Sequence, residues 1–90
     1  MINKEEGSLE RVRRIKRANE NALLTKANVV GVGIGFRQRS GERTDEIAVL
    51  VMVDKKVPAS ELNPQDLIPS EIDGVPVDVL EIGHLSEQGV

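Results

Sequence analysis

The sequence has no cysteine, tryptophan or tyrosine, and Phe36 is its only aromatic residue. The absence of cysteine excludes disulfide bonds, thiolate metal ligands and a cysteine nucleophile. The lack of aromatic residues argues against stacking platforms for single-stranded nucleic acid. No apolar run approaches the roughly 20 residues that cross a bilayer. Residues 1–6 carry acids where a signal peptide would be apolar, so we expect a cytoplasmic protein.

The 90 residues suffice for one small domain. Val, Ile, Leu and Phe make up about a third of them, above the ~20% below which chains usually stay disordered. The net charge of −3 is unevenly distributed, because basic residues dominate residues 1–27 and none follows Lys56. A basic first part and an acidic second part can attract each other, within one chain or between copies.

Residues 9–24 are predicted to form an amphipathic helix, with Ser8 as its N-cap. At about 100° per residue, one apolar stripe contains Val12, Ile15, Ala22 and Leu23. Glu10 is spaced to pair with Arg14, and Lys16 with Glu20. The opposite face carries three arginines: Arg13, Arg14 and Arg17.

Three strands are predicted after the helix. Residues 29–37 alternate apolar residues with glycine, residues 46–54 are apolar on both faces and therefore central, and residues 75–82 form a third strand. Pro76 places that third strand at an edge of the sheet. The order α-β-β-turn-β predicts a two-layer α+β fold, with the helix on a mainly antiparallel sheet of about three strands. We expect a flexible N-terminus (1–8), one domain (9–84) and a loose tail (85–90).

Gly31, Gly33 and Gly35 lie on one face of the first predicted strand. Glycines that cradle a phosphate lie in a turn that opens a helix, and these do not. They instead predict a strand face without side chains, which another backbone or a helix can approach closely. Gly33→Val is therefore expected to overpack this face.

The arginine-rich helix face has three interpretations. It is a solvated surface, a docking surface for an acidic protein, or a binding surface for nucleic acid or an anionic membrane. The acidic balance of the chain and the intrahelical partners of several of these charges favour the first, and nucleic acid is the least favoured partner.

No catalytic, cofactor-binding or metal-binding residue is predicted. Glu81-x-x-His84-x-x-Glu87 resembles a carboxylate–histidine metal pair, but such pairs lie on helices and need a second set of ligands. No serine lies in a Gly-x-Ser-x-Gly elbow, and His84 is the only histidine available as a base. We therefore expect a protein that is not an enzyme and has no cofactor.

Four segments of the sequence resemble a known region: Ala27–Gly35, Arg43–Glu46, Val53–Pro58 and Ile68–Val79. Together they resemble the N-terminal leader that precedes the catalytic domain in a group of bacterial trypsin-like serine peptidases. The resemblance implies a pro-region or docking module for a peptidase domain. The catalytic residues of such proteins lie downstream of this region, so none carries over.

The first functional hypothesis is a non-catalytic protein-interaction module that binds itself or a peptidase domain. A self-assembling structural protein that forms a homo-oligomer or filament is the alternative, and nucleic-acid binding follows it. Pro76 and Asp78 are expected to block one sheet edge, whereas no charge blocks the glycine strand. The candidate interaction residues are Arg13, Arg14, Arg17, Gly31, Gly33, Gly35 and Asp78.

Overall fold

A computed structural model describes residues 4–83 of the chain. Helix α1 (Lys4–Leu24) is followed by strands β1 (Val29–Arg39), β2 (Glu42–Val53), β3 (Glu71–Ile72) and β4 (Val75–Glu81). The strands form one sheet in the order β1-β2-β4-β3, and α1 packs on β1, β2 and β4. The predicted α+β fold, with one N-terminal helix on a small sheet, is confirmed, with four strands instead of about three.

Helix α1 begins earlier than its apolar stripe indicates. It starts at Lys4, so Ser8 lies inside the helix and the predicted N-cap is wrong. The residues before Ser8 include Lys4 and two glutamates, which are good helix formers and extend the helix. The predicted limits of the flexible N-terminus and of the domain stay predictions, and residues 84–90 lie outside the described part.

The core lies between α1 and the sheet. Its helix side contains Val12, Ile15 and Leu23, whereas Ala22 is exposed. Its sheet side consists of valines that alternate along the two inner strands, namely Val49, Val51, Val53, Val75 and Val77. Burial of each such side chain contributes about 1.5–3 kcal/mol before the entropy cost of folding. Ile68, from the connection between β2 and β3, packs against this same core.

Two tight turns shape the sheet. Ser40 and Gly41 join β1 to β2 with φ values of 53° and 81°, which are typical of a two-residue type I′ hairpin. The predicted antiparallel hairpin is therefore present with a shorter loop than the expected six residues. Asp73 and Gly74 join β3 to β4 in the same way, with φ values of 50° and 83°.

Strand β4 runs parallel to β2, with Val49 opposite Val77 and Val53 opposite Glu81. The connection through residues 54–74 is long enough for this crossover. β3 pairs only with Val75 and Pro76, so the rest of β4 lies at one edge of the sheet. β1 forms the other edge.

Candidate functional site

One face of the sheet points away from α1, and we call it the open face. It follows from strand alternation, because residues that flank the core valines must point to the opposite side. Within the described part of the chain, α1 and the segment around Ile68 both pack on the core side. The open face carries the β1 glycines together with Ala48, Leu50, Met52, Pro76, Asp78 and Leu80.

The glycines of the open face make room for side chains of β2. A Cβ atom built on Gly35 would lie 2.5 Å from Cδ1 of Leu50. Cβ atoms on Gly31 and Gly33 would lie 3.1 and 3.4 Å from Cε of Met52. Leu50 and Met52 thus lean across β1, and the glycine face is covered by their side chains, not bare. The tightest position is Gly35, whereas the sequence had singled out Gly33.

Asp78 has a structural partner on this face. It lies beside Leu50 in the parallel register, and its Oδ2 accepts a hydrogen bond of 2.9 Å from the backbone N–H of Gln38. Because β2 lies between β4 and β1, this bond crosses β2 and holds the end of β1, where the register shifts between Phe36 and Gln38. The carboxylate predicted to block an edge is instead bonded to the strand at the opposite side of the sheet.

The arginines of α1 separate into two groups. Arg13 and Arg17 lie with Lys16, Glu20 and Ile34 around a groove of about 360 Å³ between α1 and β1. We call this the basic groove. Arg14, by contrast, lies about 200° round the helix from buried Val12 and faces away from the sheet.

Ion pairs within α1 only partly neutralise the basic groove. Nζ of Lys16 lies 2.9 Å from Oε1 of Glu20, as predicted. Arg13 pairs with Glu10 at 3.6 Å, and both side chains are more than half exposed. The predicted pair of Glu10 with Arg14 is therefore not the one formed. Among the ion pairs of the described residues, Arg17 takes part in none.

Arg11 fixes the turn between β3 and β4. Its guanidinium donates to the carbonyl of Asp73 and lies where a side chain on Gly74 would project, 2.7 Å from the Cβ position. The positive φ of Gly74 favours glycine in addition. This arginine therefore has a structural role in the helix–sheet contact.

A second groove of about 310 Å³ lies beyond the end of β2. Its lining is mostly apolar and includes Val57, Leu62, Leu67 and Ile68, with Lys55 and Lys56 nearby. A hydrogen bond joins the lining of this groove to the segment that follows α1, since Oδ1 of Asp66 accepts from the N–H of Ala27 at 2.9 Å. Sequence analysis did not indicate this groove, because its residues come from segments without periodicity.

Within residues 4–83, no three His, Cys, Asp or Glu side chains lie close enough to share a metal ion. His84, the histidine of the possible metal motif, lies outside the described residues. No described helix is long and apolar enough to cross a membrane.

Comparison with known proteins gives a family match over most of the chain. The family model described as the NARROW LEAF 1 N-terminal domain matches residues 5–81. Protein NARROW LEAF 1 of Oryza sativa subsp. japonica is 36% identical over 73 residues, which is 76% of this chain and 12% of the rice protein. The chain thus spans a small part of the length of this relative.

These matches overturn the resemblance to the leader of bacterial trypsin-like peptidases. The residues matched by the plant family include all four segments on which that resemblance rested. Those segments form β1, the start and end of β2, and the turn into β4, so their patterns reflect strand and turn geometry and do not identify a peptidase. The predicted bacterial and peptidase-associated character is wrong, and a partner must be argued from the surface itself.

Proposed function

The chain belongs to the NARROW LEAF 1 N-terminal domain family, and we propose that it is a non-catalytic protein-interaction module that associates with a second copy of itself through the open face. The observation that carries this proposal is an apolar sheet face opposite α1, since α1 and the segment around Ile68 pack on the core side. Leu80 is 38% exposed there, beside partly buried Leu50 and Met52.

The distribution of charged residues on the open face supports a contact between two copies of this same face. In a two-fold dimer, the same patch meets itself, so any unpaired charge near the axis meets an equal charge. Asp78 lies on the open face, and its Oδ2 is already bonded to the N–H of Gln38. Arg37 and Glu46, which strand alternation places on the same face, pair with each other at 3.1 Å, and Glu71 lies at the rim opposite Pro76. Two copies can therefore stack sheet on sheet, about 10 Å apart, with apolar side chains between them.

A role without catalysis is consistent with the placement of polar side chains. The described serines are all exposed, in α1 or in turns and connections: Ser8, Ser40, Ser60 and Ser70. None of them accompanies a histidine within the described residues. Nucleic acid ranks low as a partner, because Arg14 does not line the basic groove with Arg13 and Arg17 and the chain is acidic overall.

Mass measurement tests self-association directly. We expect light scattering after size exclusion to give a dimer whose population rises with protein concentration. Because the contact is apolar, high salt should not dissociate it. A mass that increases without limit would favour the filament alternative.

Leu80→Lys and Leu24→Lys form a matched pair for this test. The two leucines are 38% and 41% exposed, but Leu24 ends α1 on the other side of the molecule. We expect Leu80→Lys to be monomeric and Leu24→Lys to stay dimeric, with circular dichroism confirming that both fold. A monomer at every concentration and ionic strength, or equal loss in both variants, would overturn the proposal.

A further inference from the structure

We propose that the outer edge of β1 accepts an extended acidic segment of a partner protein as a fifth strand, beside the basic groove. This surface differs from the open face, so the inference does not depend on the proposed dimer.

The edge of β1 is unusually free of the features that normally block strand addition. β1 is an end strand of the sheet, and β2 is its only neighbour among the described strands. Residues 29–36 contain neither a charged residue nor proline, and natural edges are commonly protected by one or the other. The regular stretch runs from Gly31 to Phe36, between two register shifts. An added strand of about six residues would satisfy its outward N–H and C=O groups.

The basic groove determines the charge of that strand. Arg13, Lys16 and Arg17 face Ile34 of β1, with Glu20 as the only carboxylate that lines the groove. The pair of Arg13 with Glu10 is long and exposed, so it contributes little and is easily exchanged. Side chains of an added strand on the α1 side would therefore meet a positive potential, which favours Asp and Glu.

A second copy of β1 does not match this edge. Antiparallel pairing of β1 with itself would bring the Arg13 and Arg17 side chains of both copies to the same face of the combined sheet, on either side of the two-fold axis. Like charges there would oppose association. On the other face, Leu50 and Met52 lean over Gly31, Gly33 and Gly35 and form an apolar surface that suits apolar residues of the ligand. The expected ligand thus alternates acidic and apolar residues.

A peptide that carries fluorescein on its N-terminal amine, fluorescein-Glu-Val-Glu-Leu-Glu-Val-Glu-amide, is a suitable probe. We expect saturable binding to the full chain in an anisotropy titration, with slower amide exchange at residues 31–36 by NMR. Arg17→Glu should weaken binding about tenfold, whereas Arg14→Glu, the same charge change on the outer side of α1, should leave it within about twofold.

Two further probes separate strand addition from simple charge attraction. The same peptide with N-methyl groups on alternate residues keeps its charge but loses backbone donors, so it should not bind. The Leu80→Lys variant should bind the unmodified peptide normally, which separates this inference from the proposed dimer. Three results would each overturn the proposed strand addition. The first is an equal loss of peptide affinity in Arg14→Glu and Arg17→Glu, and the second is binding of the N-methylated peptide. The third is equal binding of a single-stranded oligonucleotide of similar charge.

Discussion

Gly35→Ala is the substitution that tests the packing of the open face most directly. The added Cβ would lie 2.5 Å from Cδ1 and 3.3 Å from Cγ of Leu50, so Leu50 must leave its present rotamer. Overpacking of this kind costs about 1–3 kcal/mol. Alanine also reduces the conformational entropy of the unfolded chain, which stabilises the folded state by about 0.4–1 kcal/mol. We expect a net loss of about 1 kcal/mol in the free energy of unfolding.

Gly33→Ala is the matched control on the same strand and the same face. Its Cβ would lie 3.4 Å from Cε of Met52, which is an ordinary contact with the end of a flexible side chain. Gly33→Ala therefore causes no overpacking, and its main effect is the lower conformational entropy of the unfolded chain. The variant should be as stable as the parent or slightly more stable.

Thermal unfolding followed by circular dichroism measures this difference, since the chain lacks Trp and Tyr for fluorescence. One kcal/mol corresponds to about 4–8 °C for a domain of this size. Gly35→Ala should melt at least that much below Gly33→Ala, because the two variants share the effect on the unfolded chain and differ by the full overpacking cost. Protein concentration is held constant, because self-association raises the melting temperature. In a Leu50→Ala background the cost of Gly35→Ala should disappear. Equal melting of the two alanine variants, or an unchanged cost in that background, would refute the reasoning.

Three further substitutions test other contacts of the fold. Asp78→Ala removes the acceptor of the Gln38 N–H and should lower the free energy of unfolding by about 1–2 kcal/mol. NMR should show faster hydrogen exchange at Gln38, and unchanged exchange would contradict this prediction. Arg11→Ala removes the donor to the Asp73 carbonyl and should cost about 0.5–1.5 kcal/mol in urea unfolding, whereas Arg14→Ala should stay within about 0.5 kcal/mol. Lys16→Gln breaks the surface ion pair with Glu20 and should change the free energy of unfolding by less than about 0.5 kcal/mol at any salt concentration. A larger loss of stability would mean that the ion pair is protected from solvent.

Strongly periodic segments of this sequence were predictable. Apolar residues at helical spacing placed Val12, Ile15 and Leu23 in the core, and the run around Val49 and Val51 marked a central strand. The Asp73–Gly74 pair indicated a tight turn because both residues tolerate positive φ.

Features that depend on partners distant in sequence were not predictable. Strand β3 has two residues, Glu71 and Ile72, which is too short for a period of two to be visible. The parallel pairing of β4 with β2 depends on the path of residues 54–74, in which Pro58, Pro64 and Pro69 interrupt any pattern. The early start of α1 precedes the apolar stripe in the sequence, so no hydrophobic period marks it.

The candidate site was predictable by residue type but not by arrangement. Sequence spacing grouped Arg13, Arg14 and Arg17 on one helix face. A helical wheel shows which side of a helix is polar, but it does not show which strand lies beside that side in the fold. Once β1 occupies the sheet edge beside α1, Arg13 and Arg17 border that edge and Arg14 does not. Likewise, the charge of Asp78 was visible, but its bond across β2 depends on the register shift near Gln38.

The two surfaces of β1 suit different partners for the same physical reason. A patch that meets itself must be nearly neutral, and on the open face Asp78 is bonded within the domain while Arg37 and Glu46 pair with each other. A patch with unbalanced charge of one sign repels its own copy and attracts an unlike partner, and the basic groove gives the edge of β1 that character. Glycine at every second position of β1 admits Leu50 and Met52 from β2, and these side chains give the open face its apolar surface beside the edge. The charge pattern around one strand therefore supports the proposed self-association through its face and the proposed binding of an acidic segment at its edge.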